Sequence, residues 1–212
     1  MPSKSYIDFL ELLKDVLLLK KTHYDFSLGT VGRKNLGFLT RSATVMLCAA
    51  WERYNENLLL ESIDIILTTT LAAKDLPTDV KKYLSRKVKE DKNEIYPIEL
   101  ADNGWRNLWK GNAVNETEFL HTPNSKKLET LFKRFLGLPN YINFWKPNSS
   151  LKIDDFIRVR GEIAHNGSKA KYLLINSLNK YIDLTIENAI EIDYNMSQYL
   201  TSTYGVSTWT DN

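Results

Sequence analysis

The chemistry-bearing residues of this chain crowd into one short stretch, Arg160-Gly-Glu-Ile-Ala-His165, with Arg158 two residues ahead and Asn166 directly behind. A guanidinium keeps its charge at any working pH, and its planar fork of donors suits a phosphate and the charge that builds on it during displacement. An imidazole titrates near neutrality and can move a proton, such as that of an attacking 2′-hydroxyl or of a leaving group. Arg160 and His165 together are equipment for cleaving a phosphodiester, with no metal or cofactor called for.

The element that carries them reads as a helix over 151–165, started by Ser149-Ser150 and stopped at Asn166-Gly167. Its inward stripe by spacing is Ile153, Phe156 or Ile157, then Arg160, then Ile163 or Ala164. Arg160 thus falls where an apolar residue is expected, and a buried arginine needs an anion or a subunit interface. Gly161 costs roughly 1 kcal/mol relative to alanine inside a helix, which points to a close backbone approach at that position. His165 sits in the last turn, where the carbonyl end of the helix favours imidazolium. Arg158, Glu162 and His165 are spaced to share one side. By spacing alone, however, an arginine and a histidine on one helix describe a surface ion pair and a helix-end histidine, and that plainer reading comes first.

Helical periodicity dominates the rest of the chain. Tyr6, Phe9, Leu10, Leu13, Val16 and Leu17 form one face over 6–19, and a loop with Gly29, Gly32 and Gly37 follows. A long helix is expected over 40–73, with Val45, Cys48, Ala49, Leu59, Ile63 and Ile66 on one stripe. Glu52 and Glu56 interrupt that stripe, and either is placed to orient Arg160 or Arg158 or simply to break a partly exposed helix. Thr78 and Asp79 announce a helix to about Glu90 with a basic exposed side. Pro97, Gly104, Gly111 and Pro123 punctuate 93–124, which reads as an irregular insertion pinned by Tyr96, Trp105, Trp109 and Phe119. Trp105 and Trp109 suit core packing more than base stacking. A helix over 125–136 ends at Gly137-Leu138-Pro139, and a long helix over 169–200 closes the chain. No strand-period run competes. The expectation is an all-α single domain over 1–204, with 205–212 a frayed tail.

The bulk numbers narrow the function classes. With 28 basic and 26 acidic side chains the formal charge is only +2, so nucleic-acid binding must rest on local residues. The runs Lys81-Lys82, Arg86-Lys87-Lys89, Lys126-Lys127 and Lys133-Arg134 read first as solvated faces, and as phosphate contacts only if they border the cleft. Cys48 is the sole cysteine, so no internal disulfide or thiolate zinc site is expected, and a reducing compartment is. His23, His121 and His165 stand far apart in sequence. There is neither a glycine-rich phosphate loop nor a G-x-S-x-G elbow. Asp8, Glu11, Lys14 and Asp15 interrupt the apolar N-terminus, so no membrane span is expected and the protein is placed in the cytoplasm.

A family resemblance shifts the balance at Arg160 and His165. The segment Ile157-Arg-Val-Arg-Gly-Glu-Ile-Ala-His-Asn-Gly167 resembles the signature of the HEPN superfamily, an arginine followed after four to six residues by histidine. Leu128-Glu-Thr-Leu-Phe-Lys-Arg-Phe-Leu-Gly-Leu138 resembles the helix ahead of that motif in the RiboL-PSP and MAE_28990-like branch, and Ala49-Ala-Trp-Glu52 resembles its second helix. The resemblance implies a helical bundle that forms a homodimer with two motifs facing one cleft. It implies a metal-independent endoribonuclease that leaves a 2′,3′-cyclic phosphate, acting on RNA as a toxin or antiviral-defence effector with an antitoxin or defence partner. Arg160 and His165 would be the catalytic pair, and Arg158 also satisfies the spacing. The family commonly has a polar residue after the arginine, where this chain has Gly161; Glu162 or Asn166 would have to take over its part. A non-catalytic module that binds RNA or a partner, or only dimerises, is the alternative.

Overall fold

The computed structural model describes residues 2–28, 35–69, 71–170 and 173–209. Eight α-helices follow one another among these residues: α1 (Lys4–Asp25), α2 (Gly37–Leu67), α3 (Thr78–Glu90), α4 (Tyr96–Glu99), α5 (Gly104–Glu118), α6 (Ser125–Leu136), α7 (Ser150–Asn166) and α8 (Ile175–Tyr204). No strand occurs among them, as the 3.6-residue patterning requires. Of the loop glycines, Gly29 and Gly32 lie outside the described residues, and Gly37 opens α2.

Helix α2 is the axis of the bundle, with α1, α5, α6, α7 and α8 packed around it and α3 lying on α6. A helix enclosed on several sides cannot be amphipathic, and 17 of its 31 residues are buried, on more than one face. Ala49, expected on the inner stripe, is exposed, while Trp51 and Tyr54 are fully enclosed. The buried hydroxyls and amides of α2 are satisfied locally: Thr44 donates to the Thr40 carbonyl at 2.8 Å, Asn55 to Trp51 at 2.7 Å and Ser62 to Leu58 at 2.6 Å.

Two carboxylates from other helices cap α1. Glu61 of α2 accepts from the Lys4 and Ser5 amides at 2.9 and 2.8 Å, and Asp193 of α8 accepts from the Ser3 amide at 3.0 Å. Their charge also meets the positive end of the helix dipole. At the far end of α2, the Arg106 guanidinium collects the carbonyls of Leu67, Thr69 and Leu71 at 2.7–3.0 Å.

The structure corrects two boundaries. The segment 93–124 is not irregular, because it contains the 15-residue α5. Trp105, Trp109, Ala113 and Thr117 recur every four residues and are all buried, so their packing outweighs the helix penalty of Gly104 and Gly111. Trp109 is fully buried and its indole donates to the Phe135 carbonyl at 3.1 Å, which makes it a core residue. Nor are residues 205–209 frayed. Gly205 turns the chain back at φ +66°, Val206 is buried, and the Trp209 indole donates to the Asp193 carbonyl at 3.2 Å. Residues 210–212 lie outside the described residues.

Gly137 ends α6 in the left-handed region at φ +68°, its amide donating to the Lys133 carbonyl at 3.0 Å. A Cβ there would stand 2.3 Å from the Cβ of Pro77, at the start of α3. Gly137→Ala therefore meets both backbone strain and a clash, and is expected to cost about 3 kcal/mol or more. A urea midpoint equal to wild type would contradict this account of the α3–α6 junction.

Candidate functional site

Helix α7 is held by three neighbours before any chemistry is considered. Ser149, ahead of its first turn, donates its hydroxyl to Asn188 of α8 at 2.7 Å. Asp154 accepts from the amide and hydroxyl of Ser125 at 2.8 and 2.7 Å, which ties α7 to the start of α6. Ile153, Phe156, Ile157 and Ile163 face the core. Ala164 does not, being exposed. The helix runs through Asn166, and Gly167 leaves it at φ +52°.

The two arginines have opposite surroundings. Arg158 is exposed and paired twice on its own helix, with Asp155 at 2.5 Å and with Glu162. Asp155 also accepts from the Tyr181 hydroxyl of α8 at 3.2 Å, so this charge cluster closes on itself. Glu162 is thereby engaged by Arg158 and does not orient Arg160.

Arg160 is half-buried against α2. Its Nε is shielded from solvent without a hydrogen-bond partner, and among the described residues the side chain makes no ion pair. Cys48 and Glu52, one turn apart on α2, feel its charge. The Cys48 thiol is pushed up to about 12, chiefly by burial, with Arg160 pulling it back and Glu52 adding to the rise. Glu52 is raised by burial, against the opposing pull of Arg160, the Thr122 amide, His121 and Lys127.

That last set was not foreseen. Glu52 accepts from the Thr122 backbone amide, and the neighbouring Trp51 indole donates to the Pro123 carbonyl at 3.3 Å. Trp51-Glu52 thus pins the α5–α6 loop across α2, while Lys127 donates to the His121 carbonyl. Thr122 takes φ +66°, a conformation that costs a non-glycine residue about 1–3 kcal/mol and is tolerated where surroundings enforce it. The Ala49-Ala-Trp-Glu52 segment was visible in sequence, but its loop partner lies some seventy residues away along the chain.

Glu56 departs from its expected part, because it is buried and pairs with Arg53 at 3.2 Å rather than with either arginine of α7. Glu52, Glu56 and His121 instead border a cleft of about 560 Å³ together with Leu12, Met46 and Glu118. Among the described residues no three His, Cys, Asp or Glu side chains gather as a metal site would require.

His165 and Asn166 are both exposed at the end of α7. At 3.6 residues per turn, His165 lies about 140° around the helix and about 7.5 Å along it from Arg160, whereas it is about 20° from Arg158 and about 60° from Glu162. Gly161, beside Arg160, does not answer to packing against the described residues, for a Cβ there would meet none of them within 4 Å. The close approach expected at this glycine is therefore not made by any described part of the same chain.

The sequence model of the RiboL-PSP-HEPN family matches residues 7–198, from the first turn of α1 to the last part of α8. No curated protein and no solved structure matches the chain.

Two measurements test the geometry of this seam. Cys48 at pH 8 lies well below a pKa of about 12, so the thiol stays protonated as well as buried. Native protein should resist iodoacetamide at pH 8 and react only when unfolded; prompt alkylation would mean that the α2–α7 seam opens. Gly161→Ala should raise the urea midpoint by an amount worth roughly 1 kcal/mol, since it gains helix propensity and meets no obstacle among the described residues. A lower midpoint in the isolated chain would contradict the open space found there.

Proposed function

The chain belongs to the RiboL-PSP-HEPN family, and on that premise we propose that it is a metal-independent endoribonuclease acting through Arg160 and His165. The attacking 2′-hydroxyl forms a bond to the neighbouring phosphorus, the bond to the 5′-oxygen breaks, and a 2′,3′-cyclic phosphate and a 5′-hydroxyl result. Arg160 holds the phosphate and the charge that builds on it. His165 takes the 2′-proton or delivers one to the departing oxygen.

One observation carries this reading. Arg158 is neutralised by two carboxylates of its own helix, while Arg160 has no hydrogen-bonded anion among the described residues. A half-buried guanidinium left this way costs stability unless a ligand or a second subunit completes it. Glu52 lies near enough to oppose its charge and acts on its position rather than on the substrate.

Two copies are part of the proposal. Arg160 and His165 diverge around α7, so one helix does not aim both at a single phosphate, whereas two facing helices can. The exposed apolar side chains Leu18, Phe26, Leu28, Phe38 and Leu174 support a homodimer at the same end of the bundle as His165. Hydrogen bonds from Thr40 to the Leu173 carbonyl and from Asn179 to Tyr24 bring the ends of α1, α2 and α8 together there. Such an enzyme in the cytoplasm fits a toxin or antiviral-defence effector held by an antitoxin or other defence partner. Among the described residues no helix is long and apolar enough to cross a membrane.

A second reading has one observation in its favour. Gly161 supplies no side chain after the arginine and Glu162 is committed to Arg158, so an inactive module that binds RNA or only dimerises would use the same face.

Total RNA and transfer RNA incubated in EDTA separate the two. The wild-type chain should cut, with 2′,3′-cyclic phosphate ends. His165→Ala should lose about 10²–10⁴-fold while staying folded and dimeric. Arg160→Ala should lose comparably, and Arg158→Ala should stay within a few-fold of wild type. Cleavage that disappears on chelation, or survives in His165→Ala, would overturn the mechanism; a monomer in light scattering would remove the shared cleft.

A further inference from the structure

The near-neutral charge of the chain hides a sharp segregation. Helix α3 carries five cations against two carboxylates, and α6 carries four against one. Together they have a formal charge of +6 within a chain of +2, which leaves the remainder at −4.

The fold lays these two helices side by side and antiparallel, since Pro77 at the start of α3 meets Gly137 at the end of α6. Lys82, Arg86 and Lys89 form one row on α3, at helical steps of four and three. Lys126, Thr130 and Lys133 form the matching row on α6. Between them runs an open groove of about 260 Å³, to which Lys82, Arg86, Thr130, Lys133 and Arg134 contribute, with Asp79 as the carboxylate among its described lining residues.

The floor of the groove is Tyr83, a buried ring with three cations over it: Arg134 at 5.4 Å, Lys87 at 5.6 Å and Arg86 at 5.7 Å from its centre. Glu116 of α5 fixes this floor, pairing with Arg134 and accepting from the Tyr83 hydroxyl at 3.2 Å. Arg134 is therefore a neutralised strut. Lys82 and Lys133 are exposed and make no ion pair among the described residues, and Arg86 reaches Glu90 only at 3.9 Å. Like charges held this close lower stability, and a bound polyanion removes that cost.

We propose that the α3–α6 seam docks the phosphate backbone of single-stranded RNA and anchors the strand apart from Arg160 and His165. The inference rests on the ribonuclease reading only for the identity of the polyanion. Two rows of flexible cations with a hydroxyl between them grip phosphates without reading bases, so the contact is independent of sequence. The seam also leads toward the reactive arginine, because Lys127, next to the first cation of the α6 row, acts on the same Glu52 that opposes Arg160.

The test uses the full chain carrying His165→Ala, so that RNA survives the measurement. Binding of a fluorescein-labelled 20-nucleotide oligouridylate is followed by anisotropy between 50 and 300 mM KCl. Adding Lys82→Glu, Arg86→Glu and Lys133→Glu should weaken binding at least tenfold. It should also flatten the log–log salt dependence by about 2, at about 0.7 per lost phosphate contact. The milder Lys82→Gln, Arg86→Gln, Lys133→Gln set should move both readouts the same way and guards against misfolding in the first. Unchanged affinity and slope in both sets would overturn the proposal. So would displacement of the RNA by polyglutamate at equal charge concentration, which would assign the seam to an acidic protein. Cleavage by the wild-type chain is judged separately. A chain that binds through the seam and never cuts keeps the docking surface and loses the enzyme. A chain that cuts, while its seam variants bind as tightly as their parent, keeps the enzyme and loses the docking surface.

Discussion

Helix α2 has to satisfy its own polar groups because almost nothing else can reach them. Helices cover it on several sides, so any hydroxyl or amide along it is cut off from water and must find a partner nearby. Thr44, Asn55 and Ser62 fold back to carbonyls of the preceding turn. Asn55 has a second duty, since its oxygen accepts from the Tyr141 hydroxyl at 2.7 Å, and Tyr141 stacks on Phe132 with ring centres 3.7 Å apart. Tyr54 reaches the Ala189 carbonyl of α8 at 3.0 Å. These few bonds fix the depth and rotation at which α6 and α8 meet the axis, and α7 takes its place from both.

The consequence for the site is electrostatic. Helix α7 has one side turned to the axis and one to solvent, and its two arginines fall on opposite sides. On the solvent side carboxylates can be recruited cheaply from the same helix, and Arg158 has two. On the axis side the acid that feels Arg160 is Glu52, itself half-buried and already shared with the Thr122 amide, His121 and Lys127. Arg160 is left under-compensated by the geometry of the seam, and the strained Thr122 loop acts on Glu52, which opposes its charge.

The same logic explains why a chain of +2 can present a strongly basic surface. Charge is distributed by which helices neighbour one another rather than by composition. Putting α3 against α6 concentrates cations whose two rows lie 37 to 51 residues apart in sequence, and a buried tyrosine backed by Glu116 makes that concentration tolerable.

Periodicity and capping are local properties, and the sequence alone determined what depends on them. The helical class was legible in it, as were α3, α6 and α7 almost to the residue, the left-handed stop at Gly137, the core role of Trp105 and Trp109, and the family. It misread 93–124 because glycines and prolines are local signals, whereas the buried tryptophan stripe that overrides them is a tertiary one. It misread 205–209 because the partners of Thr208 and Trp209, Ser197 and Asp193, lie in α8 and not beside them in the chain. Only the tertiary structure could decide which arginine is neutralised and which is left open, that Glu52 rather than Glu56 faces Arg160, and that a Cβ at Gly161 would meet none of the described residues. A side chain's helical address follows from counting residues. Its energetic state follows from what other elements bring against it, and that is settled by packing across distances that spacing does not encode.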